Sequence, residues 1–239
     1  MSTVLQWMAL AVSLACAGWR LPAAVKGRNT SLFWMFVLLT VAVGLSIPAI
    51  YLTVDGWLGG VNVANLLIRF SLYAIFFILA SKMAAAHRSR RSQWLIRGPV
   101  GLAALGLVAA ATLVFFVISD LPVSNTGLAG YSEQWSVQGY AVAGRLYPAY
   151  AAAVLVGPTA AAARTAARAI NRASAALLCL AFIMVVLATL AQISTLPLKP
   201  FIDVMSYGSI VCVAAGLALV WASFRGRPHA PPVKRPAAQ

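Results

Sequence analysis

Four polar residues at helical spacing carry the clearest chemistry in this sequence. Asn62, Asn65, Arg69 and Tyr73 stand at i, i+3, i+7 and i+11, within about 80° of one helix face. They line the first half of a long apolar run, so the spacing predicts a polar stripe at membrane depth. A guanidinium in hydrocarbon costs at least ~2.5 kcal/mol on insertion scales unless it is paired or hydrated. Arg69 must therefore face other helices or a water-filled cavity.

Two chemistries fit that placement. In one, Arg69 binds the carboxylate or phosphate of a small ligand, with the asparagine amides and Tyr73 completing the polar contacts. In the other, Asp203, Asp55 or backbone carbonyls hold the arginine and fix helix register. Arg145 supplies a second cation at similar expected depth in another run, followed by Tyr147, Pro148 and Tyr150, where a proline kink would free a backbone carbonyl. Two inward arginines would make an electropositive pocket. An Arg145 that snorkels to the interface would not.

The elements that position these residues are membrane helices. With 62% hydrophobic and 9% charged residues over 239 positions and a mean hydropathy of +0.88, the chain lies outside the soluble globular range. Seven apolar runs are long enough to cross about 30 Å of hydrocarbon: roughly 2–18, 31–52, 61–84, 99–119, 138–160, 173–196 and 201–224. The first has no basic residues ahead of it, and Arg20 follows it, so it is expected to be a retained span rather than a signal peptide. The short alternating segments of a β-barrel are missing. The expectation is an all-α polytopic membrane protein: a seven-helix bundle over 1–224 and a disordered basic, proline-rich tail over 225–239.

Charge sets the expected orientation. Fifteen of the eighteen lysines and arginines fall in the loops and tail of one side, among them Arg88, Arg90, Arg91, Arg97, Arg164, Arg168 and Arg172. The positive-inside rule then gives an N-out, C-in chain. Trp57, Tyr131, Trp135 and Tyr140 would mark the outer interface, and Trp19, Trp94 and Trp221 the inner one. The net charge of +14, spread over short loops, suits anionic lipid headgroups better than nucleic acid. The longest connection, roughly 120–137, either caps an outward cavity or is a plain mobile loop.

Several chemistries have no residues to carry them. Cys16, Cys179 and Cys212 lie in apolar runs without a Cys-x-x-Cys pair, and His87 and His229 lie in basic segments, so neither a metal site nor a cofactor is expected. No acid falls near a span midpoint, no lysine lies within the last run, and no serine–histidine pair or phosphate-binding glycine loop is present. Enzyme activity is not expected.

The segment Gly44, Leu45, Ser46, Ile47, Pro48, Ala49, Ile50, Tyr51, with Asp55 and the run from Gly60 to Leu67, resembles a family of actinobacterial seven-span membrane proteins labelled as transporters without an established activity. The resemblance implies a bacterial inner membrane and carries over no catalytic residue. The expected function is transport or sensing of a small, anionic molecule. The alternative is a scaffold or signalling subunit that binds lipid or a partner through its basic loops.

Overall fold

The computed structural model describes residues 3–28, 30–194 and 198–225; the basic tail expected after Phe224 lies almost wholly outside them. All regular structure among these residues is helical. The order is α1 (Thr3–Val25), α2 (Thr30–Gly44), α3 (Pro48–Trp57), α4 (Val63–Ala86), α5 (Arg90–Arg97), α6 (Pro99–Val117), a 3-10 turn (Thr126–Tyr131), α7 (Trp135–Thr165), α8 (Ala169–Ile193) and α9 (Lys199–Arg225).

Six helical stretches are long and apolar enough to cross a membrane, and α2 with α3 makes a seventh if that bent pair is counted as one. Large aliphatic side chains lie bare on the outside of the bundle, with Leu107 72% and Val117 71% exposed. Such surface is stable in contact with lipid and not with water. These helices and this surface are compatible with an integral membrane protein.

Three elements differ from the expected runs. The run at 31–52 is not one helix: it bends by 97° between α2 and α3. Ile47 is held extended (φ −85, ψ 120) ahead of Pro48, because the proline ring disfavours helical backbone at the preceding residue. Pro48 then opens α3 at a position where no N–H is needed. The basic connection is partly helical, since Ser89 caps α5 by accepting from the Ser92 N–H. Finally, α7 extends to 31 residues and runs through both Pro148 and Pro158.

Helices α4 and α7 form the centre, with α2 packed on α4, α6 and α8 on α7, α1 on α2, and α9 on α8. Small residues bring the backbones close where Ala80 and Ala84 meet Ala151, Ala152 and Leu155. The Ser174 hydroxyl donates to the Gly216 carbonyl at 2.8 Å across the α8–α9 contact. Between α2 and α9 an apolar cleft of about 510 Å³ opens over Phe76, Leu155 and Phe182.

Candidate functional site

The polar stripe begins at the corner between α3 and α4. Gly59 and Gly60 take positive φ (+101 and +72), and Asn62 follows in the left-handed region at φ 65, which asparagine tolerates better than most residues. This turn folds Asp55 back over the start of α4. Its carboxylate accepts from the backbone N–H groups of Asn62 (2.8 Å) and Ala64 (2.9 Å) and from the Ser124 hydroxyl. A negative charge at a helix N-terminus is doubly favoured, by the free N–H groups and by the dipole.

Asn62 locks the same corner to the long loop. Its Oδ1 accepts from the Tyr51 hydroxyl (2.9 Å) and the Asn125 N–H (2.6 Å), and its Nδ2 donates to the Val123 carbonyl (2.9 Å). Asp55, Asn62 and Tyr51 are all fully buried. The Tyr131 hydroxyl both donates to the Val123 carbonyl and accepts from the Val123 N–H, and Leu121 and Leu128 pack with Val137 and Tyr140. The loop is thus a packed cover over this end of the bundle.

Beneath the cover the stripe faces α7. The Tyr140 hydroxyl donates to Asn65 Oδ1 at 3.1 Å. One turn further, the Arg69 guanidinium lies over the Tyr140 ring, 5.2 Å from its centroid. It also rests against the Gly144 backbone, where a methyl group on the glycine would collide with the guanidinium. Glycine at this position is what lets the side chain lie flat between the helices. The next stripe residue, Tyr73, shares a 2.6 Å hydrogen bond with Thr112 of α6 and donates to the Ala143 carbonyl at 3.3 Å.

Arg145 is the next residue of α7 after Gly144, the glycine that Arg69 rests against. Both arginines are half-buried and Asp203 is exposed. Neither arginine forms a direct ion pair with a carboxylate among the described residues, since Asp55 is engaged by the α4 N-terminus. Pro148 removes the N–H that would have reached the Gly144 carbonyl.

Of the five residues singled out from spacing, Asn62, Asn65 and Tyr73 have protein partners, while Arg69 and Arg145 are half-buried and form no ion pair with a carboxylate among the described residues. Tyr140 and Gly144 belong to the same cluster and were not legible as such, because they lie about 75 residues away on another helix. Asp55 had a local signal: it precedes a double-glycine turn and the start of α4. Comparison with protein-family models, with characterised proteins and with solved structures finds no match to this chain.

Proposed function

We propose that this membrane protein binds a small anion between Arg69 and Arg145, in transport or in sensing. The observation that carries the reading is Arg69, a half-buried guanidinium laid on the Tyr140 ring and against the Gly144 backbone, with Arg145, also half-buried, the next residue along α7 and no ion pair to a carboxylate for either among the described residues. Keeping two half-buried guanidinium groups without an ion-pair partner in a low dielectric is costly. An anion that bridges them recovers that cost, and arginine's fork suits a carboxylate or phosphate. Tyr140 and Gly144 hold Arg69 in place, so the site is organised in advance of binding. In this reading α2 and α3 together make one of seven crossings, N-out and C-in, which puts the pair under the outer loop of a bacterial inner-membrane protein.

The test is thermal unfolding of the purified full chain with a panel of carboxylates and inorganic phosphate in a buffer of weakly binding anions. At about a hundredfold over Kd, a specific anion should add ~2.7 kcal/mol to the parent. Arg69→Lys and Arg145→Gln should each weaken that effect. If Arg69→Ala unfolds the protein while no anion stabilises the parent, Arg69 is a structural residue and the reading fails.

A further inference from the structure

A second group of anion-compatible side chains lies at the opposite, basic end, independent of the Arg69–Arg145 reading. The corner between α4 and α5 and the last turns of α7 enclose a cavity of about 600 Å³, lined by His87, Ser89, Arg91 and Ser92 on one side and by Gly157 and Thr165 among the α7 residues. No acid lines it. The corner is closed by two backbone bonds, from Arg88 N–H to the Ala85 carbonyl and from Ser89 N–H to the Ala84 carbonyl. They put His87 and α5 on the same opening. Ser89 Oγ accepts from the Ser92 N–H and donates to Ser92 Oγ at 2.8 Å, while the N–H groups of Arg90 and Arg91 have no acceptor within α5.

Depth singles out the ligand class. The 24 residues of α4 span about 36 Å at 1.5 Å per residue, so the corner falls just beyond the ~30 Å hydrocarbon layer. The 31 residues of α7 reach about 46 Å and carry its end past the same level. Trp94 on α5 is 53% exposed, as an interfacial anchor would be. With the Ser89 and Ser92 hydroxyl protons spent on Ser92 Oγ and the Val154 carbonyl, an arginine fork, an imidazole and the first-turn N–H groups of Arg90 and Arg91 around one opening at headgroup depth still offer more donors than a carboxylate can use. They match the several oxygens of a phosphate.

We propose that this cavity is a binding site for a phosphate group, delivered either as the headgroup of an anionic phospholipid or as a soluble phosphorylated compound. Arg91 carries the charge recognition, and His87 and the first-turn N–H groups of α5 complete the contacts.

The full chain is titrated in nanodiscs of phosphatidylcholine, once with phosphatidylglycerol raised to about one fifth of the lipid and once with inorganic phosphate, following the melting temperature. Stabilisation by phosphatidylglycerol alone identifies a headgroup site. Stabilisation by phosphate in pure phosphatidylcholine identifies a soluble ligand. In either case Arg91→Gln should weaken the apparent affinity about tenfold, while Arg172→Gln, which removes an equal exposed charge at the start of α8, should change it less than about twofold. Arg69→Lys should leave it unchanged, which separates this cavity from the Arg69–Arg145 site. Arg91 is exposed, so its loss should leave folding intact. Absence of stabilisation by both probes, or equal weakening by Arg91→Gln and Arg172→Gln, overturns the proposal.

Discussion

Asp55 has more structural consequences than any other acid among the described residues. It holds two N–H groups of α4 and the Ser124 hydroxyl from a fully buried position. Asp55→Ala strands those donors, at about 1–3 kcal/mol per buried group. The expected loss is about 3 kcal/mol, read from denaturant unfolding in detergent; a loss under ~1 kcal/mol would mean that water replaces the carboxylate. Gly144 is the complementary case. Gly144→Ala keeps both arginines but places a methyl group where the Arg69 guanidinium lies, so anion affinity should fall while the unfolding free energy changes by less than about 1 kcal/mol. Unchanged affinity in the titration that tests Arg69→Lys would show that the guanidinium position does not matter. Asn65, Arg69 and Tyr73 were legible as one face because helical periodicity is local, whereas Asn62, expected on the same face, stands ahead of α4 in left-handed backbone. The division into committed amides and arginines without a carboxylate was not legible, because partners such as Tyr51, Asn125 and Tyr140 come from three other segments.

At the scale of elements, the two corners flanking α4 use left-handed residues differently. Asn62 at one end is a residue type suited to that backbone, and its side chain is fully used. At the other end Arg88 takes φ 52, in a position where glycine is usual because it has no Cβ to strain. Arg88→Gly should therefore stabilise the protein by about 0.5–1 kcal/mol, visible as a higher melting temperature; a lower one would show that the exposed Arg88 side chain contributes more than the strain costs. The bend between α2 and α3 has a local cause in Pro48, but its direction serves the tertiary network. Only with α3 turned aside can Asp55 and Tyr51 reach the start of α4. Hydropathy registers the run at 31–52 as uniformly apolar and is blind to that turn.

For the whole molecule, the charge asymmetry has a structural counterpart. Asp55 and Asp120 belong to the covered end of the bundle, while Arg88, Arg90, Arg91 and Arg97 are exposed at the other end of α4 and on α5. The N-out, C-in arrangement predicts opposite accessibility for two exposed positions in a background without the three native cysteines. Val123→Cys in the cover loop should react with a membrane-impermeant maleimide in intact cells, and Arg168→Cys between α7 and α8 only after permeabilisation. The reverse pattern would invert the proposed orientation and move the phosphate cavity to the outer leaflet.

Helical class, the apolar runs long enough to cross a membrane and the shared face of Asn65, Arg69 and Tyr73 were legible in the sequence alone, because hydropathy and helical period are properties of neighbouring residues that survive any packing. The charge bias likewise set an orientation to test. Tertiary structure decided which polar groups satisfy each other. It placed Tyr140 and Gly144 against Arg69 and closed the loop over Asn62. The physical reason is distance along the chain. Contacts between residues some 75 positions apart arise from how α4 and α7 pack side by side, and no local periodicity encodes that pairing.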